Sequence, residues 1–301
     1  MKLSQAVNKR ILFSPLNWGM GHVSRSISLL NELNERGNTL FIACSEMQKA
    51  IYKEYLTDVT YLHHEGYPFE FKGKGQFGLD LLIGFPDLQM RLDNEKNEVA
   101  DYCDEFKIDL ILSDHRYGFR NDKVRSVFIS HQTSLPTKWY HLGVNAIHQK
   151  LMDRFDAIWI MDSGDHKLSG KLSYYDGDKE VDFIGPYSRF SMYSEDPVKD
   201  ITQVLIASGP DVYAQKFINE RGIQGDIEIV ICAPTLDVPP QLKRFSGSWR
   251  EQDEIIRRSK KIISRSGYST IMDLEFLEVP FELIPTPGQE EQKYLAEFHK
   301  S

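Results

Sequence analysis

The stretch "SRSGYSTIMDLEFLEVPFELIPTPGQEEQKYLA", residues 264–296, decides the fold. It reads as a strand, a Ser-Gly turn, a helix, an apolar strand, a Pro-Gly loop and the opening of another helix. Strand, helix and strand in this order make a parallel unit, whose ligands gather at the carboxyl ends of the strands. There Ser266, Gly267 and Tyr268 present N–H groups suited to a phosphate, and Asp273, two helical turns further on, is placed to accept from a ribose diol. Gln289, Glu290 and Gln292 open the next helix on the same side, where amides and carboxylates hydrogen-bond sugar hydroxyls.

The same rhythm runs outward in both directions. Before it come "QVLIASG", a helix, "IEIVICAP", "LKRFSGS", a charged helix and "KIISRSG". Further back stand "ILFSP", "TLFIAC", "VTYLHH", "DLILSD", "SVFISHQ" and "AIWIMD", separated by amphipathic segments. Continuous apolar strands alternating with helices predict a parallel sheet covered on both faces. Residues 163–200 are polar and broken by Pro186 and Pro197, and only "VDFIG" among them reads as a strand. The expected architecture is therefore α/β: two Rossmann-like parallel-sheet domains facing across a cleft, residues 1–190 and residues 191–301, which the resemblance given below makes the acceptor domain and the donor domain. Residues 66–85 carry five glycines without a period and read as a mobile flap over the first lobe.

A chain of 301 residues, 41% hydrophobic and 27% charged, is long enough to divide between two cores. Its net charge of -8 argues against a nucleic-acid partner held by charge alone. Cys44, Cys103 and Cys232 lie far apart in apolar or mixed segments, as reduced buried thiols do. The N-terminus has no apolar core of signal-peptide length, and no apolar run reaches the roughly 20 residues of a membrane span. The expectation is a cytoplasmic protein, with a peripheral contact at the inner membrane face left open.

At the other end of the chain, "WGMGHVSRS", residues 18–26, joins the first strand to a helix whose Val23, Ile27, Leu30 and Leu33 recur at helical spacing, with Gly37 at the C-terminal cap. Gly19 and Gly21 let backbone approach a ligand closely. Ser24 stands where a dinucleotide fingerprint needs its third glycine, which weakens a nicotinamide-cofactor reading. At a helix start the dipole disfavours imidazolium, so His22 suits a general base; its structural alternative is a hydrogen bond to a loop carbonyl. Asp114, at the end of "DLILSD", is the second candidate base, or else a loop cap. Asp176–Asp178, "DGD", is better read as a polar turn than a metal site, and His63–His64 as a strand end. Trp249 either borders a base pocket or anchors a helix start.

Together, "WGMGHVSRS", "SDHRYG", "ISHQ", "RFDAIWIMD", "FIGPYSRF" and the C-terminal block resemble nucleotide-sugar glycosyltransferases of the GT-B fold, in particular those akin to the peptidoglycan N-acetylglucosaminyltransferase. The resemblance spans nearly the whole chain. It implies that Gly19, Gly21 and His22 face donor and acceptor, and that Arg189 lies near the donor phosphates. It further assigns Ser208 and Gly209 to the first donor-lobe loop, Ser266 and Gly267 to the diphosphate turn, Asp273 to the ribose, and Gln289 and Gln292 to the sugar. Two departures stand out. The family has glutamate at the place of Asp273, and it continues past the last helix with a strand and a helix that pack back on the first lobe, so this chain is expected to lack that support.

The activity so implied is transfer of a hexose or N-acetylhexosamine from a nucleotide diphosphate sugar, uridine-linked, to a hydroxyl on a lipid-linked or cell-envelope acceptor. Inversion, no cofactor and no metal are expected, with Arg265 and Arg189 stabilising the leaving diphosphate and His22 or Asp114 taking the proton. His115, Arg116 and His131 are candidate acceptor contacts. The same fold also serves epimerases and hydrolases of nucleotide sugars, and a non-catalytic nucleotide-sugar binder is a further alternative.

Overall fold

A computed structural model describes residues 1–17, 19–67, 85–136 and 142–300 of the chain. The expected flap falls, from residue 68 to residue 84, outside the described residues, as does Trp18. The first sheet consists of β1 (Arg10–Pro15), β2 (Thr39–Cys44), β3 (Val59–His63), β4 (Leu110–Asp114), β5 (Arg125–Ser130), β6 (Ala157–Ile160) and β7 (Glu180–Phe183). These strands are parallel throughout, in the order β3-β2-β1-β4-β5-β6-β7. Helices α1 (Gly21–Glu35), α2 (Glu46–Tyr55), α3 (Phe85–Phe106) and α4 (Leu142–Met152) connect them. Strand alternation splits the core as the sequence predicts. Ile11 and Phe13 of β1 join Val23, Ile27, Leu30 and Leu33 of α1 on one face. Leu12 joins Phe41, Val99 and Ile111 on the other.

The second sheet is also wholly parallel, in the order β10-β9-β8-β11-β12. Its strands are β8 (Val204–Ala207), β9 (Ile229–Cys232), β10 (Lys243–Phe245), β11 (Ile262–Arg265) and β12 (Phe281–Ile284). Its helices are α5 (Asp211–Arg221), α6 (Trp249–Arg257), α7 (Tyr268–Leu277) and α8 (Glu290–Phe298). Gly37, at φ +79°, follows α1 in the left-handed conformation expected of its cap. The three cysteines are free and buried, and burial pushes the Cys44 thiol up to about 12.

The lobes are not joined by the linker alone. Tyr268, Ile271 and Met272 of α7 and Leu295 of α8 belong to the hydrophobic cluster of the first lobe. The Tyr268 hydroxyl donates to the Met161 carbonyl (2.6 Å), and the Lys171 N–H donates to the Tyr294 hydroxyl (2.8 Å). On the far side, the Arg250 N–H donates to Glu54 Oε2 (2.9 Å), and the Tyr55 hydroxyl donates to Asp253 Oδ2 (2.6 Å). Within the described residues, α6, α7 and α8 thus each contact the first lobe. Among the described residues no helix is long and apolar enough to cross a membrane.

Candidate active site

Strand register sets the site. Pro15 pairs with Asp114 at the carboxyl edge of the first sheet, and the Leu16 N–H donates to the Asp114 carbonyl (3.0 Å). The chain leaving β1 therefore turns into α1 directly beside the Asp114 side chain. Gly19 makes the turn at φ +96°, a conformation that costs a side chain roughly 1–2 kcal/mol. The start of α1 then abuts the start of α7 across the cleft: a Cβ on Gly21 would lie 2.5 Å from the Ser269 hydroxyl.

The helix starts along this edge differ in their caps. Ser45 and Ser248 close capping boxes on α2 and α6. By contrast the residues preceding α1, α7 and α8, Met20, Gly267 and Gln289, give no side-chain cap hydrogen bond. First-turn N–H groups without such partners, aligned with the helix dipole, bind anions. Two of these starts, α1 and α7, meet at one point.

Beside that point lies a buried polar cluster. Arg25, on the same face of α1 as His22 by its three-residue spacing, is 2% exposed and donates through Nε and Nη2 to both oxygens of Asp114, which is fully buried. His22 Nδ1 lies 3.0 Å from Asp114 Oδ2 and 2.9 Å from Arg25 Nη2. Burial, followed by the Arg25 charge, holds His22 below the ordinary imidazole value although Asp114 pulls the other way. Burial opposes ionisation of Asp114, yet Arg25 and His22 outweigh it and hold the carboxyl well below its usual range. The cluster continues to His131, whose Nδ1 is 2.7 Å from Arg25 Nη1 and whose Nε2 is 3.0 Å from Glu291 Oε1 of α8.

Arg189, which opens the short helical turn Arg189–Met192, is 6% exposed and joins three elements. It donates to Asp253 Oδ1 of α6 (2.7 Å), Asp273 Oδ2 of α7 (2.7 Å) and the Ser24 hydroxyl of α1 (2.6 Å). Ser188 donates to Asp273 Oδ1 (2.5 Å). Asp273, expected on a ribose, thus has both oxygens held by protein groups at the lobe interface, and burial raises its carboxyl above the usual value despite Arg189. Ser24, the residue that breaks the dinucleotide fingerprint, is where the first lobe meets this pair. Trp249 lies under the Arg189 guanidinium, 5.1 Å from its carbon to the ring centre.

The remaining expected residues are distributed as follows. Ser208 and Gly209 are exposed at the end of β8, with Gly209 at φ +96°. Arg265 turns toward α5, donating to the Tyr213 and Pro285 carbonyls (3.1 Å each) above the Phe217 ring; burial lowers its guanidinium to about 10. The Ser266 hydroxyl donates to the Gln292 carbonyl (2.7 Å), while the side chains of Gln289 and Gln292 bond each other and the Thr286 N–H, bracing the loop before α8. Glu290 pairs outward with Lys293 (2.8 Å), so the acidic residue facing the cleft is Glu291. His115 sits beside His22, ring centres 6.0 Å apart. Arg116 is instead bound to Glu95 (2.6 Å) among His64 and Tyr67, which also accounts for buried His64. Asp176 accepts from Gln149 (3.3 Å) in the turn before β7. Arg25, Glu291 and Asp253 escaped the sequence reading.

No protein-family model matches the sequence, and no curated protein matches it significantly. Solved structures do match. The chain is similar to the glycotransferase of kitacinnamycin, with a TM-score of 0.66 at 16% identity over 97% of this chain and 84% of that one. A UDP-glucosyltransferase from Polygonum tinctorium capable of glucosylating indoxyl gives 0.62 at 12% over 97% and 83%. Spinosyn rhamnosyltransferase SpnG complexed with thymidine diphosphate gives 0.58 at 13% over 95% and 83%. Together with the two wholly parallel sheets, these likenesses show a GT-B fold.

Proposed function

We propose that the chain is a glycosyltransferase that moves a hexose or N-acetylhexosamine from a uridine diphosphate sugar to a hydroxyl acceptor, with inversion. The observation that carries this reading is the meeting of two uncapped helix starts, α1 and α7, beside the His22–Asp114 pair. Two helix starts whose preceding residues supply no side-chain cap suit a diphosphate, whose charge grows as the bond to the sugar breaks. Such a leaving group needs no metal at this site to be stabilised.

The proton has an acceptor in the same place. When His22 carries hydrogen on Nδ1 and donates to Asp114, its Nε2 lone pair is available, as in other histidine–aspartate pairs. The acceptor hydroxyl gives its proton to Nε2 while its oxygen bonds to the anomeric carbon, and the electron pair of the broken bond leaves on the diphosphate. Asp114, ionised and fully buried, orients His22 and does not itself take the proton. The bound thymidine diphosphate of one structural neighbour and the aglycone bound in another structure of the same enzyme support a two-sided cleft of this kind.

The test is thermal denaturation with uridine, thymidine and guanosine diphosphates and their sugar conjugates, followed by product analysis with hydroxyl acceptors, lipid-linked and envelope glycans included. A nucleotide at about 100 times its dissociation constant adds roughly 2.7 kcal/mol. A shift with one nucleotide and its sugar, with transfer that survives a chelator, is the expected result. Donor hydrolysis without transfer, or no shift with any nucleotide, overturns the reading.

A further inference from the structure

Asp273 has the chemistry of a ribose reader and the wiring of a lobe clamp. A carboxylate reads a ribose diol by accepting one hydroxyl on each of its oxygens. In this protein that two-pronged pattern is already filled. The Ser188 hydroxyl donates to Oδ1 (2.5 Å) and Arg189 Nη1 donates to Oδ2 (2.7 Å), so two consecutive residues close both oxygens of a side chain that is only 15% exposed. The Ser24 hydroxyl of α1 stands beside them, 3.5 Å from Oδ2.

The clamp is itself held in place. Arg189 Nε donates to Asp253 Oδ1 (2.7 Å), and Phe190 and Trp249 lie against the guanidinium, 4.4 Å and 5.1 Å from its carbon to their ring centres. Asp253 in turn accepts from the hydroxyls of Tyr55 (2.6 Å) and Tyr193 (2.9 Å), which ties the cluster to α2. A ribose could take Asp273 only by parting a nearly buried ion pair. Breaking such a pair costs more than a hydroxyl bonded to a carboxylate returns.

Asp273 is also the one residue that the sequence assigns to the ribose, so with its oxygens closed the diol has no assigned reader. We infer that Asp273 belongs to the lobe clamp and not to the donor pocket, and that donors lacking either ribose hydroxyl bind as well as donors that carry both. The inference rests on the reading of the α1–α7 edge as a diphosphate site. It leaves donor selection to the base and the transferred sugar.

The test is calorimetric titration of the wild type with uridine diphosphate and with its 2′-deoxy and 3′-deoxy analogues. A hydroxyl bonded to a carboxylate is worth roughly 10–150-fold in affinity. Dissociation constants within about fivefold of one another are expected instead, and a larger preference for uridine diphosphate overturns the inference. In a second arm, folded Asp273→Asn is expected to bind uridine diphosphate within about fivefold of wild type while its unfolding midpoint falls, because the charge opposite Arg189 is gone. A greater loss of affinity places Asp273 in the pocket and overturns the inference. The wild-type comparison needs no variant, so it decides the matter if Asp273→Asn does not fold. Binding of uridine diphosphate alone overturns this inference and leaves the transferase reading standing, whereas binding of none of the three overturns both.

Discussion

Replacing Arg189 with methionine tests whether the lobe interface is held by charge. The guanidinium is almost wholly buried and makes two charge-assisted bonds, to Asp253 and Asp273 at 2.7 Å each, and a third bond to Ser24. Breaking a buried ion pair by removing one partner costs about 3–5 kcal/mol, because a carboxylate is left buried without its countercharge. At an unfolding entropy of about 2.1 cal/mol/K per residue, that loss lowers Tm by roughly 5–8 °C in a chain of this length. The sign with pH follows from Asp273. Its folded carboxyl already titrates above its unfolded value through burial, so the native state binds more protons there, and stability falls as pH rises through that window. Loss of Arg189 raises it further. Denaturant titrations at pH 5 and pH 8 should therefore find a larger loss at pH 8, and Arg189→Met combined with Asp253→Asn and Asp273→Asn should recover most of it. A loss below about 1 kcal/mol, or one equal at both pH values, refutes the argument.

Three further outcomes are expected. His22→Ala should lower kcat about 10²–10⁴-fold, and wild-type activity should stay level above about pH 6.5 and decline only on the acid side, since the imidazole titrates below its ordinary value; a decline that begins above pH 7 would exclude His22 as the base. Asp114→Asn should match that kinetic loss and also cost about 3–5 kcal/mol in a denaturant titration, because it strands Arg25. Gly21→Ala should destabilise the wild type through contact with the Ser269 hydroxyl, yet stabilise Ser269→Ala by up to about 1 kcal/mol, as Gly-to-Ala changes in helices do, read as a change of sign in ΔTm.

Strands and helices were legible because burial on two faces forces continuous apolar runs, and because Gly37 punctuates the first helix; the serine caps of α2 and α6 carried the same kind of signal unread. His22 was legible as a polar residue at a helix start and Asp114 as one at a strand end. Arg25 was not, since an arginine on a helix reads as solvent-facing until a carboxylate 89 positions away is known to lie under it. The choice among the acidic residues of α8 did carry a signal: buried Leu295 fixes the phase of the helix, and Glu291 stands one turn before it on the same face. Arg189 read as a phosphate ligand by resemblance; its partners, 64 and 84 positions further along, could only be found in three dimensions.

The hydrophobic cluster that the two lobes share also bears on how the protein is made. Val23, Leu168 and Leu172 lie in one cluster with Tyr268, Ile271 and Leu295, which the ribosome delivers late. At about 5–20 residues per second, the gap of roughly 80 residues between the expected boundary at residue 190 and α7 lasts on the order of 4–16 s. Throughout that interval the nascent first lobe is without a wall of its own core. A chain that stops short of α7 exposes that apolar surface, the kind that makes folding intermediates prone to aggregate.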